Sequence, residues 1–128
     1  MGQDALVMPN VAAGKKLVQF LDNTGIRPRV ALWVHEREAD RWRLWIVPAK
    51  EQTDQREFYR QVVDVVSKHR AELSGLEASD TELISDSHPA IQGLGKFIRV
   101  EDGAEIRFAS SVFNGYFLPD AIILRMAV

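Results

Sequence analysis

Polar and apolar positions along this chain change period several times, and each change marks an element. Between residues 13 and 24 the period is helical. Ala13, Leu17, Phe20, Leu21 and Thr24 share one face, while Lys15, Lys16, Gln19, Asp22 and Asn23 fall mostly on the other. Asn10 precedes the run as an N-cap whose side-chain oxygen accepts a backbone N–H of the first turn. Gly25 stops the helix and Pro28 keeps it stopped. Gly14 costs about 1 kcal/mol against alanine inside a helix, which close packing against a neighbour would offset.

Residues 29–35 and 41–47 are rich in Val, Leu, Ile and Trp and read as strands. They are joined by the charged stretch Glu36-Arg37-Glu38-Ala39-Asp40. A hairpin centred on Glu38 sets Val34 against Trp42, Leu32 against Leu44 and Val30 against Ile46, an apolar face for the core. The same register places His35 opposite Arg41, Trp33 opposite Arg43 and Ala31 opposite Trp45 on a second face. Pro48 ends the second strand because it has no N–H for the ladder.

Helical spacing returns over 54–73, with Thr53 as the expected cap and Phe58, Val62, Val65, Val66 and Leu73 as the apolar stripe. Ser74-Gly75 ends it. Residues 81–85 read as a third strand. Pro89 opens a short helical turn through Leu94. Residues 96–100 and 105–109 flank Asp102-Gly103, a turn that sets Ile98 against Phe108 and Val100 against Ile106. Asn114-Gly115 is a second turn and Leu118-Pro119-Asp120 a break. Residues 121–128 are apolar on both faces except at Arg125, as in an inner strand. The expected order is α-β-β-α-β-(short α)-β-β-β. That is an α+β fold with a mainly antiparallel curved sheet and two long helices on one face. Residues 1–9 read as a flexible lead.

A chain of 128 residues with 46% hydrophobic and 27% charged positions is one ordinary globular domain. A net charge of −2 argues against binding nucleic acid through bulk charge. The absence of cysteine excludes disulfides, thiolate metal sites and cysteine nucleophiles. Met1 to Asn10 have no basic region followed by an apolar run and so do not read as a signal peptide, and no apolar run reaches the ~20 residues that span a bilayer, so a cytoplasmic protein without a membrane partner is expected.

Candidate chemistry is sparse. Trp33, Trp45, Arg41, Arg43 and His35 share the second hairpin face in the expected register, and Trp and Arg are the usual anchors of protein interfaces. Exposed, that face would suit a protein partner or a second copy of the chain; buried, it is core. His35-Glu36, Asp86 with His88, and Asp80 with Glu82 do not supply the three or four converging donors of a metal site. His69 lacks the His-Glu-x-x-His spacing. Ser110-Ser111 has no adjacent base, and Gly93-Leu94-Gly95-Lys96 is followed by Phe97 where a phosphate loop needs a hydroxyl. Glu105-Ile106-Arg107, near Asp102, has Arg where a nuclease-like Glu-x-Lys would have Lys. No cofactor motif and no catalytic residue stand out.

Several stretches together resemble a set of small bacterial proteins with no assigned activity. They are Ala13-Gly14-Lys15-Lys16-Leu17, Ala31-Leu32-Trp33-Val34, Glu38-Ala39-Asp40-Arg41-Trp42-Arg43-Leu44, Ile106-Arg107-Phe108, Phe113-Asn114-Gly115-Tyr116 and Asp120-Ala121. The resemblance implies a bacterial, self-contained domain and carries over no catalytic residue. The leading expectation is a non-enzymatic accessory or protein-interaction domain, with self-association through the Trp/Arg face as one form it could take. The alternative is a small enzyme or ligand-binding protein with a pocket between helices and sheet, where His35, Arg43, His88 and Arg107 would be the polar groups.

Overall fold

Helix α1 (Val11–Asn23) begins where expected, with the Ala13 N–H donating to Asn10 Oδ1 at 2.9 Å. It ends in a Schellman motif. Gly25 sits at φ 84° while the Ile26 N–H reaches back to the Leu21 carbonyl and the Gly25 N–H to that of Asp22. The computed structural model that shows this describes residues 9–49, 54–101 and 103–127. Thr53, Asp102 and nearly all of the expected N-terminal lead lie outside those residues. Asp54 caps helix α2 (Gln55–Lys68), accepting from the Glu57 N–H. The helix stops earlier than its apolar stripe suggests. It tightens into a 3-10 turn at Arg70–Glu72, and Ser74 and Gly75 then reverse the chain at φ 51° and 89°.

Strands β1 (Val30–Glu36) and β2 (Arg41–Val47) form the expected hairpin, but one step out of the expected register. Val30 pairs with Val47, Leu32 with Trp45, Trp33 with Leu44 and His35 with Trp42. The reason lies in the loop. Asp40 adopts φ 48°, so it closes a four-residue turn instead of pairing in the strand. The apolar pattern did not forbid this slip, because both faces of the hairpin are covered. A register is specified by burial only when one face is wet.

The main sheet has the order β3 (Thr81–Leu83), β2, β1, β7 (Ala121–Met126), β4 (Ile106–Phe108), and a separate two-stranded ribbon is formed by β5 (Ser111–Phe113) and β6 (Tyr116–Leu118). Strand β3 (Thr81–Leu83) runs parallel to β2, so the sheet is mixed. Strands β4 (Ile106–Phe108) and β7 (Ala121–Met126) pair antiparallel. The expected hairpin of 96–100 with 105–109 does not form. Helix α3 (Pro89–Phe97) runs through Lys96, Val100 makes only an isolated bridge to Met126, and Ile106 and Phe108 pair with Ile123 and Ala121. Strand β7 is apolar on both faces and outcompetes a local partner for that edge. The ribbon β5 (Ser111–Phe113) and β6 (Tyr116–Leu118) turns at Asn114-Gly115, both at positive φ as a type I′ turn requires.

Two cores result. Ala31, Trp33, Leu44, Ile46, Ile122 and Leu124 pack with Leu17 and Leu21 of α1 and Phe58, Val62 and Val66 of α2. Val30, Leu32, Trp45, Val47, Ile123 and Met126 pack with Ala90, Ile91 and Leu94 of α3. Gly14 is needed for the first. A Cβ there would lie 2.6 Å from Trp33 Nε1.

Candidate functional site

The residues expected to form one Trp/Arg face do not share a face. Trp33 and His35 lie on the side of α1 and α2, whereas Arg41, Arg43 and Trp45 lie on the side of α3. The one-residue register difference causes the split. Both tryptophans are core, at 4% and 6% exposure. His35 is buried too, with Nε2 3.0 Å from Asp40 Oδ1 and its ring tilted on Trp42. Arg41 donates to the Ser79 carbonyl, and Arg43 donates to the Thr81 carbonyl and stands 3.3 Å from Glu82. These cations hold the β2–β3 edge.

The polar groups named for a pocket are also apart. His88 Nδ1 accepts the Ala90 N–H and caps α3, with its ring against Trp45 and Tyr116. Burial pushes its pKa below the usual histidine value, with Glu82 opposing. Arg107 is exposed beside Glu105. Among the described residues no three acidic or histidine side chains converge as a metal would need. No helix there is long and apolar enough to cross a membrane.

A cleft does exist, at the end of the sheet opposite the β1–β2 turn. The Schellman motif of α1 releases the chain into an extended run, in which Pro28 is buried and Arg27 exposed. Past α3 the chain is extended again. Val100 turns inward at 2% exposure, so Arg99 and Glu101 on either side of it turn outward. These two segments flank the end of β7. Met126 pairs with Val30 on one side and with Val100 on the other, and the Ala127 N–H donates to the Arg29 carbonyl. A β-bulge between β1 and β7, where Ala31 pairs with Arg125 but Leu32 with Ile123, aims Arg125 toward α1.

Four arginines, at 27, 29, 99 and 125, line the resulting cleft of about 540 Å³. They divide into two kinds. Arg125, 8% exposed, makes a bidentate pair with Asp22 at 2.9 and 2.6 Å and also donates to the Pro28 carbonyl. Arg29 donates to Asp86 Oδ2 at 3.0 Å and to the Pro48 carbonyl at 2.9 Å. Both are fixed, and both have a carboxylate to balance them. Arg27 and Arg99 are exposed and have no hydrogen-bond or ion-pair partner among the described residues. Among the described residues Glu101 is the one acidic residue in the lining. Among the described residues, counting Asp22, Asp86 and Glu101 against the four arginines leaves one net positive charge. Of the apolar residues in the lining, Ala127 is exposed, while Pro28, Val100 and Met126 are buried. Such a place can hold an oxyanion, because a guanidinium presents paired N–H donors that match carboxylate and phosphate oxygens.

The four arginines are spread over most of the chain, so no local motif announces them. Two signals were available. Arg125 interrupts an otherwise apolar strand, and Arg27-Pro28-Arg29 brackets the entrance to β1 with charge.

No family model matches this chain, and neither the curated proteins nor the solved structures contain a significant match to it.

Proposed function

We propose that the domain works by binding, and that its ligand is an anion seated in the arginine cleft. This develops the ligand-binding alternative, with the pocket moved from between helices and sheet to the end of β1 and β7. One observation carries it: two arginines without partners among the described residues line the same cleft as two arginines already immobilised by ion pairs. An anion entering there meets the positioned guanidinium groups of Arg29 and Arg125 and the uncompensated charge of Arg27 and Arg99. Calorimetric titration of oxyanions at low salt tests the reading. Binding that weakens with added salt, and is lost in Arg27→Gln/Arg99→Gln, is the expected result. Absence of binding by any oxyanion to the folded protein would overturn it.

Self-association is a second reading, moved to a different surface. Val112 and Phe117 stand opposite each other on the ribbon, and both are exposed. A second copy would bury this apolar pair against its own equivalent. Light scattering would then show a dimer that Val112→Asp dissolves, and a monomer at all concentrations would end the idea.

A further inference from the structure

Resting on the anion reading above, we infer that the ligand is a phosphate monoester carried on a non-aromatic, hydroxyl-bearing body. The first argument is the arrangement of donors. Arg27 and Arg99 approach from opposite flanks of β7, since Met126 pairs with Val30 on one side and Val100 on the other. Two strand spacings, about 10 Å, separate Val30 from Val100, and Arg27 and Arg99 lie three residues and one residue before them in the chain. Long side chains from both sides can therefore meet over the middle strand. A single carboxylate has two oxygens in one plane, both engaged by one guanidinium fork, which leaves only the outer lone pairs in that plane for a second. A terminal phosphate has three oxygens in a tetrahedral array and accepts forks from both flanks at once. Its charge of about −1.5 to −2 also suits two unpaired cations better than one negative charge does.

The second argument is size. A cleft of about 540 Å³ is far larger than a phosphate group and lies in the range of small-molecule sites. Ala127 and the methylene stems of the arginines supply the apolar surface for the rest of the ligand, since Pro28, Val100 and Met126 are buried. Among the described residues no aromatic side chain lines the cleft, so none of them offers a nucleobase a platform to stack on.

The third argument is Glu101. It lies two positions from Arg99 on the same outward side of the extended segment, with Val100 buried between them. A carboxylate beside an anion site repels the anion but accepts hydrogen bonds from hydroxyls. It would reject bare phosphate relative to a hydroxylated ester.

Isothermal titration of the full chain with glycerol 3-phosphate, glucose 6-phosphate, inorganic phosphate, glutarate and adenosine monophosphate at equal ionic strength tests this. At least one of the two hydroxylated esters should bind roughly tenfold tighter than inorganic phosphate, glutarate and adenosine monophosphate. Arg27→Gln and Arg99→Gln should each weaken that ester about tenfold, the loss expected for one charge-assisted hydrogen-bonding group. Glu101→Gln should weaken the ester while leaving inorganic phosphate unchanged or tighter. Glutarate equalling or exceeding the esters would overturn the phosphate assignment and leave the anion cleft standing. Adenosine monophosphate equalling or exceeding them would overturn the non-aromatic body. Binding of none of the five, with the circular dichroism of the folded chain intact, would overturn both this inference and the reading beneath it.

Discussion

The two ends of the central hairpin use arginine in opposite ways. At the turn end every arginine has a partner. Arg37 donates to Ser110 Oγ and lies over the Phe117 ring, Arg41 donates to the Ser79 carbonyl, and Arg43 donates to the Thr81 carbonyl. Asp120 completes this end by accepting from the Ser110 N–H and hydroxyl. At the other end Arg29 and Arg125 are satisfied in the same manner, but Arg27 and Arg99 are not. Arginines that are fully engaged tie elements together. Arginines left unpaired beside a cleft are available to a ligand.

Substitutions should separate the two kinds. The largest effect belongs to Arg125. Replacing it with Met leaves the half-buried Asp22 carboxylate without its counter-ion, and urea unfolding should show a loss of about 3 kcal/mol. If Arg125 were instead a ligand-facing group like Arg27, its removal would barely change stability. Next is Gly14→Ala. In an open helix this substitution gains about 1 kcal/mol. Here the added Cβ meets Trp33 Nε1 at 2.6 Å and Leu124 Cδ1 at 3.1 Å, so overpacking should win and the protein should lose about 1 kcal/mol. A gain would mean that Trp33 does not face α1, and would restore the shared Trp/Arg face.

The pH dependence comes third. Burial holds the folded-state pKa of His88 below its ordinary 6.5, so the unfolded chain binds the extra proton more readily. The associated stability is fully present above pH 6.5 and is lost as pH falls toward and through the folded value. Protonation also removes the Nδ1 acceptor that caps α3. His88→Asn keeps a capping acceptor and should flatten this part of the stability–pH curve. The smallest effect is expected for Arg27→Gln and Arg99→Gln, which should change unfolding free energy by no more than about 0.5 kcal/mol. A large loss from either would place it with Arg125, as a tie between elements.

Much of the fold was legible in the sequence because single-sided elements announce themselves. Helices α1 and α2 each show a stripe that is buried almost as written, and Asn10, Pro89 and Asn114-Gly115 mark real boundaries. Legibility failed where burial is two-sided. Val30 through His35 are all buried, so alternation carries no information about register, and Asp40 decided it through its backbone. The site was less legible than the fold. Trp33 and Trp45 attract attention as large aromatic residues, yet they serve the two cores. Arg27 and Arg99 look like ordinary surface charge and acquire meaning only when β7 brings their segments together.

Arginine side-chain signals in nuclear magnetic resonance test the central claim most directly. Titrating glycerol 3-phosphate into the labelled protein should shift the Nε–Hε resonances of Arg27 and Arg99 together, with a common saturation point, while those of Arg41 and Arg43 stay in place. Equal movement at both ends of the hairpin, or movement of Arg41 and Arg43 alone, would contradict the account.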